Sequence, residues 1–434
     1  MTGVTKLSQR LFSVLISCST GSLEMHPALA QFRRPEVSGS PRCAGDLCQE
    51  VPAIDAADTN SLAMEIFYSR RDMVSLAVLE GDRPIGLINR DIFLSQMSKP
   101  FHRELYDKKS CIAFMDKEPL VVDADMSIEA LTFKTVEVGN KALSDGFIVT
   151  RQGRFAGLAS GFQLLGAVAE MQAEKNRQIM QSIEYASVIQ QAMLRASRDA
   201  LSSMLPDAAL VWEPRDVVGG DFYHFASFSD GWFGALADCT GHGVPGAFMT
   251  LLASASLSQA LERIGPRDPA ALLAAVNRNV KGLLGQVHGT GESPQSNDGL
   301  DAAFFWFDAQ QQQLHFSGAR IALHVLRPHA DHFECIPGER MGVGYVDSLA
   351  DHAWALNTVA LPQGSLLFVS TDGLIDQIGG PKKIAFGRRR ALELIVGNRA
   401  QTLSALCDDL QCALADWQGA QARRDDVTLF FARV

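Results

Sequence analysis

Between residues 58 and 168 the alternation of apolar and polar positions runs through the same order twice. A helical stretch over 61–69 leads to Ser75-Leu76-Ala77-Val78-Leu79, the turn Glu80-Gly81-Asp82-Arg83-Pro84 and a second apolar run, Ile85-Gly86-Leu87-Ile88. A helical stretch over 128–138 leads likewise to Gly146-Phe147-Ile148-Val149-Thr150, the turn Arg151-Gln152-Gly153-Arg154 and Phe155-Ala156-Gly157-Leu158. Each half reads helix, strand, turn, strand, helix, and the continuous apolar runs are of the buried-strand kind. Residues 162–204 come next as one long helical stretch without Pro and, after Gly166, without Gly. Ile179, Ile183, Ala186, Gln190 and Met193 step along it in a heptad seam that Gln190 and the small Ala186 weaken. One reading is an amphipathic helix lying on its own domain. The favoured one is a parallel two-stranded coiled coil that joins two compact units and carries a signal between them.

From 211 onward strands and helices alternate in blocks. Strands are predicted at 232–237, 302–307, 313–317, 322–326, 332–336, 366–370 and 427–432, and helices at 246–263, 269–284, 389–396 and 403–417. Pro269 stands in a first turn, where its missing N–H costs nothing. Strands on both flanks of a helical pair predict a layered α+β fold, sheets inside and helices outside. Residues 1–55 lack periodicity and are rich in Ser, Pro, Gly and Ala, which predicts a disordered leader. The apolar stretch at 11–16 is too short for a secretory signal core, and Ser17, Ser19 and Glu24 interrupt the chain directly after it. The expected organisation is therefore a leader (1–55), a regulatory domain (56–168), a helical linker (169–205) and a C-terminal domain (206–434).

Composition narrows the function. The net charge of −10 repels polyphosphate and excludes nucleic acid as a main partner. The basic run Gly387-Arg388-Arg389-Arg390 is read as a solvated helix start. None of the eight cysteines forms a CxxC pair, and Cys43 and Cys48 have no second pair to complete a zinc site. That usage suits a reducing, cytoplasmic setting. No apolar run reaches the ~20 residues of a bilayer span, so no membrane partner is expected.

The chemistry concentrates in five segments: Val218-Gly219-Gly220-Asp221-Phe222, the run from Ala237-Asp238-Cys239 to Gly246, Asp298-Gly299-Leu300-Asp301-Ala302, Ser370-Thr371-Asp372-Gly373-Leu374, and Asp425-Asp426-Val427-Thr428. Aspartates at strand ends are held rigidly and can converge from distant sequence. Hard divalent cations take such oxygen ligands, and Mg²⁺ keeps several waters beside one or two carboxylates. Adjacent glycines let backbone or substrate approach. Two ions roughly 3.5–4 Å apart would lower the pKa of a water and steady a phosphoryl group. No P-loop, kinase signature or Ser-His-Asp pattern competes, so hydrolysis by activated water is the simplest chemistry. A single Asp-Gly is usually a turn; the weight lies in several acidic elements, each beside a strand.

The order of these segments resembles the PPM/PP2C superfamily of serine/threonine phosphatases, in its bacterial SpoIIE/RsbU-like branch. The run from Thr371 to Gly380, with Ala385-Phe386-Gly387 after it, is most similar to the SiaA-type members. The resemblance implies a PP2C-like layered β-sandwich flanked by helices and two Mn²⁺ or Mg²⁺ ions. It implies Asp238 as the bridging ligand with the carbonyl of Cys239, Asp221 as a ligand of one ion, and Asp372 and Asp425 as ligands of the other. Asp426 would share the ligand role or support it from behind. The phosphate-holding arginine of eukaryotic relatives has no counterpart before Asp221; Arg215 and Arg320 are weak stand-ins. The implied substrate is a phosphorylated STAS-like or SiaC-like regulatory protein.

The repeated halves over 56–168 resemble a tandem CBS pair, an α/β module that in that family often binds adenine nucleotides. Asn89 and Ser160 fill the signature's Thr/Ser position, while Asp91 comes one residue early and Gln163 stands where the second Asp would be. The resemblance and the linker together imply a homodimer whose N-terminal module gates a metal-dependent phosphatase. A shift of the helix after Pro245, driven from 162–204, would move Asp238. The rivals are a binding protein on a dead phosphatase fold, which would have lost acidic ligands, and a catalytically weak scaffold that chiefly senses nucleotides through the CBS-like pair.

Overall fold

The computed structural model describes residues 41–286 and 296–434, in two compact units that divide at 176/177. Residues 1–40, most of the expected leader, lie outside the described residues.

In the first unit, residues expected to belong to the leader are ordered. Helix α1 (Ala44–Leu47) is capped by Asp46, whose carboxylate accepts from the backbone N–H groups of Arg42 (2.7 Å) and Cys43 (3.0 Å). Strand β1 (Ile54–Asp55) comes after it. The Ser/Pro/Gly-rich composition concealed this order because backbone pairing, not periodicity, supplies it: Gly45 N–H donates to Ala124 O and Gln49 N–H to Leu158 O. The first half continues through α2 (Asn60–Ser69), β2 (Ser75–Glu80), β3 (Arg83–Asn89), α3 (Arg90–Met97) and α4 (His102–Tyr106). The second comprises β4 (Val121–Asp123), α5 (Ile128–Val138), α6 (Asn140–Asp145), β5 (Phe147–Arg151) and β6 (Arg154–Ala159). Each half is a three-stranded sheet in which an antiparallel hairpin gains a parallel first strand, and both hairpins carry a bulge, at Val78/Leu79 and at Val149/Thr150. The Gln152-Gly153 turn has positive φ at both residues, the tight hairpin geometry that matches strand twist. Those leading parallel strands are the elements the apolar pattern did not announce.

Helix α7 (Gly161–Met204) is continuous, as expected. Within the second unit its buried positions are Ser187, Gln190, Leu194, Ser197 and Leu201. The seam proposed from sequence shares only Gln190 with this face, and Ile179 is exposed. Over 187–201 the helix lies on its own domain, the reading not favoured from sequence, because Leu194 and Leu201 join that domain's core.

The rest of the second unit holds β7 (Ala208–Glu213), β8 (Asp221–Phe228), β9 (Gly231–Cys239), α8 (Gly243–Ile264), α9 (Pro269–Leu284), β10 (Leu300–Asp308), β11 (Gln313–Ala319), β12 (Leu323–Leu326), β13 (Glu334–Ile336), β14 (Asn357–Ala360) and β15 (Leu366–Ser370). It closes with α10 (Asp372–Asp376), β16 (Ile378–Gly379), β17 (Ile384–Ala385), α11 (Arg388–Gly397), α12 (Leu403–Gln418) and β18 (Val427–Arg433). Two antiparallel five-stranded sheets, β14-β11-β10-β9-β8 and β13-β12-β15-β18-β7, form a sandwich. Phe225, Trp232, Phe305 and Phe430 meet in its centre, with the Phe305 and Phe430 rings stacked at 5.6 Å. α8 and α9 cover the first sheet, and α11 and α12 pack on the second through Leu410, Leu414, Phe368 and Phe431. This is the layered α+β architecture anticipated from the chain. α8 is long and apolar enough to cross a membrane, against the expectation that no run reaches that length, but its buried face (Met249, Ala253, Leu257, Ala260) belongs to the core.

Candidate active site

Strand register assembles the first three acids. Asp221 opens β8 and pairs with Asp238 near the end of β9, and Asp238 pairs with Asp301 on β10. Residues directly opposite in an antiparallel sheet project from the same face, so three carboxylates stand in a row across neighbouring strands. The second sheet brings two more: Asp372 begins α10 just after β15, and Asp425 precedes β18, the neighbour of β15. Asp301 was not singled out from sequence although it lies in a segment that was; the register that points to it comes from the β9–β10 pairing.

Asp221 is fully buried. Its Oδ2 accepts from the hydroxyls of Thr371 (2.8 Å) and Thr428 (2.7 Å), whereas its buried Oδ1 has no partner among the described residues. Burial, against which the two threonines work, and then the charges of Asp426 and Asp425 push its pKa up to about 8. Asp238 is raised well above the carboxylate range by burial and then by Asp221, Asp372, Asp425 and Asp301. Asp372 is raised by burial and by Asp425 and Asp376, with its contact to Asp238 opposing. Burial raises Asp301 to about 6, with Arg320 holding it down. A set of buried acids that each raise the others is a site arranged for cations. No three His, Cys, Asp or Glu side chains among the described residues form one chelating cluster. That agrees with ions that take one or two carboxylates and complete their shells with water. The orphaned Oδ1 of Asp221 and the all-oxygen donor set fit Mg²⁺ or Mn²⁺.

Asp426, named as a ligand or a support, is placed as a support. Its Oδ1 accepts from Arg215 N–H and its Oδ2 from Gly220 N–H, both at 2.6 Å. Burial raises its pKa and those two N–H groups oppose the rise. Cys239 keeps its side chain in the core, so only its backbone carbonyl is available to a metal. Arg215 is tied to the carbonyl of Arg424, whereas Arg320 reaches Asp301 (3.3 Å). His242 bonds Asp216 (2.7 Å) ahead of α8.

Two glycines set how closely α8 meets this site. A Cβ on Gly220 would stand 2.4 Å from the carbonyl oxygen of Gly241, and one on Gly246 would stand 2.2 Å from the same oxygen. Backbone therefore touches backbone where the Asp221 loop, the turn after Asp238 and α8 converge. Gln190 of α7 completes the junction, which sequence reading had taken only as a flaw in a seam. Its Nε2 donates to Gly219 O (2.7 Å) and to Thr250 Oγ1 (3.2 Å), and its Oε1 accepts from Gly219 N–H (3.1 Å).

Residues 229–434 match the family model described as stage II sporulation protein E (SpoIIE). Among solved structures, the SiaA-PP2C domain of Pseudomonas aeruginosa is 35% identical over 60% of this chain and 99% of that one, with a TM-score of 0.53. The RsbU and RsbW domains of a Mycobacterium tuberculosis protein are 21% identical over 52% and 59%, at 0.41. The PP2C phosphatase domain and regulatory fragment of SpoIIE from Bacillus subtilis are 17% identical over 52% and 63%, also at 0.41. No curated protein matches the chain. A sandwich with aspartates at its meeting strand ends, and a near-complete span of the SiaA phosphatase domain at that identity, give the assignment: the chain belongs to the SpoIIE branch of the metal-dependent PP2C-type protein serine/threonine phosphatases.

Proposed function

We propose that Asp221, Asp238, Asp372 and Asp425, with the carbonyl of Cys239, hold two divalent ions, Mn²⁺ or Mg²⁺, and that Asp426 fixes the Asp221 loop rather than binding metal. The observation that carries this reading is the buried, unpartnered Oδ1 of Asp221 beside three further acids. Bound there, the ions would polarise a phosphoryl oxygen and activate water. The chain's own part is to orient them. Thr371 and Thr428 fix Asp221, and the Asp426 carboxylate holds the Gly220 backbone against it.

The substrate we propose is a phosphorylated regulatory protein, STAS-like or SiaC-like. The similarity to a SiaA phosphatase domain supports that class. We further propose that α7 gates the site, because one residue of it, Gln190, bonds both the loop ahead of Asp221 and Thr250 of α8. Residues 56–168 would supply the input, in a homodimer in the cytoplasm. A cleft lined by Asp72, Ser75, Asp145, Ser160 and Gln163, with a buried and unpartnered Ser75 hydroxyl, is where an adenine nucleotide would be sought. The weak-scaffold alternative is disfavoured because each of the four proposed carboxylates is present and placed.

The test is Mn²⁺-dependent hydrolysis of p-nitrophenyl phosphate by the full chain. Asp238→Asn is expected to lower turnover by at least about 100-fold while the protein stays folded by circular dichroism. An inactive wild-type protein in the presence of Mn²⁺ would sink the reading.

A further inference from the structure

Arg320, Arg388 and His324 line the same cleft as Asp238, Asp301 and Asp372, and metal binding uses none of them. Arg320 sits between β11 and β12 at φ 63°, a backbone region that a residue with a side chain seldom adopts. Its guanidinium is fixed on several sides. Nε donates to Arg340 O (3.1 Å), Nη1 reaches Asp301 (3.3 Å), and the group lies 4.7 Å over the Tyr345 ring. Tyr345 is itself anchored by polar groups on and just beyond α9. The buried Lys281 donates to Tyr345 O (2.5 Å), Asn277 Oδ1 accepts from Gly344 N–H (2.8 Å), and Gln286 donates to Gly344 O (2.6 Å). A buried lysine and two amides thus hold the loop on which Arg320 rests, the support that a binding side chain needs to keep one orientation.

Arg388, the first residue of α11, is exposed and makes no hydrogen bond or ion pair among the described residues. Its neighbours are committed elsewhere: Arg389 pairs with Glu393, and Arg390 stacks 3.9 Å over Trp417. His324, only 4% exposed, has no hydrogen-bond partner on either ring nitrogen. A fixed arginine, an uncommitted arginine and an unpaired imidazole beside an acid cluster call for an anion that carries several acceptor oxygens.

We propose that Arg320 and Arg388, with the ring of His324, form an anion subsite beside the carboxylates that grips the phosphoryl oxygens of a phosphoserine or phosphothreonine substrate. The inference rests on the phosphatase reading above and assigns the recognition of the phosphoryl group to this chain's own cations. The planar fork of a guanidinium matches phosphate geometry, and in the absence of the anion Asp301 serves as counter-ion to Arg320.

The full chain is assayed with p-nitrophenyl phosphate and Mn²⁺, with inorganic phosphate as inhibitor. Arg388→Ala is expected to raise KM and the phosphate inhibition constant about tenfold each while kcat changes by less than about threefold, and Arg388→Lys recovers part of the loss. Calorimetric binding of a phosphoserine peptide, measured in an Asp238→Asn background with Mn²⁺ present, weakens by a similar factor on adding Arg388→Ala. Mn²⁺ affinity, read from thermal shifts, stays unchanged in Arg388→Ala. An active wild type with unchanged KM, phosphate inhibition and peptide binding in Arg388→Ala overturns the subsite alone, as does a loss of Mn²⁺ affinity in that variant. A wild type that turns nothing over overturns the phosphatase reading and the subsite together.

Discussion

Thr371 and Thr428 decide how Asp221 behaves, since their hydroxyls are what oppose its burial. Thr371→Val keeps the shape and removes one donor. The unmade bond is expected to cost about 1–3 kcal/mol, and Mn²⁺ affinity, read by thermal shift, to fall about 10–100-fold. Unchanged affinity would show that Asp221 does not need that donor. The acids themselves were legible in the sequence because Asp beside a strand and Gly is a local signal. Asp426 was legible as a neighbour but not in its role, since the N–H groups of Arg215 and Gly220 that occupy it lie 211 and 206 residues away. The threonines were invisible for the same reason: they reach Asp221 across 150 and 207 residues.

At the scale of elements, α7 was readable in extent but not in orientation. Its buried face over 187–201 carries Ser187, Gln190 and Ser197 between two leucines, while Ile179, Val188 and Ile189 point outward. A search for an apolar stripe therefore chose the wrong side. The polarity of that face serves the junction, because Gln190 satisfies both backbone groups of Gly219. Gln190→Ala is expected to destabilise the protein by about 1–3 kcal/mol and to weaken Mn²⁺ binding measurably in the same titration. Loss of stability with intact metal affinity would leave Gln190 as a packing residue and remove the support for gating through α7.

For the whole molecule, the raised acids tie stability to pH and metal. The unfolded chain ionises Asp221 near 3.8 and the folded one near 8, so the folded state holds the extra proton across that window and stability falls as pH rises through it. His324 works oppositely. Burial, with the charge of Arg388, lowers it from 6.5 to about 4, which removes stability as pH falls through that interval. Above about 6.5 only the acid effect remains. In EDTA, Tm is expected to drop between pH 6.5 and 8, and Mn²⁺ to raise Tm by more at pH 8 than at pH 6.5, because binding displaces protons. A flat profile in differential scanning fluorimetry would contradict the acid cluster. The sandwich was largely legible at this scale: the strands at 232–237, 302–307, 366–370 and 427–432 coincide with the interiors of β9, β10, β15 and β18. The edge strands β7 and β14 were not, since half-exposed edges lack the apolar run that marks a central strand.

The row of Asp221, Asp238 and Asp301 depends on β8, β9 and β10 pairing in one register. A slip of β9 by a single residue would turn Asp238 to the opposite face and leave its neighbours facing an alanine or a cysteine instead. Misaligned sheets would lack the acid row, so divalent ions would stabilise only the correctly aligned one. The cofactor then doubles as a proofreader of folding, and a cell short of divalent metal would face misassembled enzyme as well as idle enzyme.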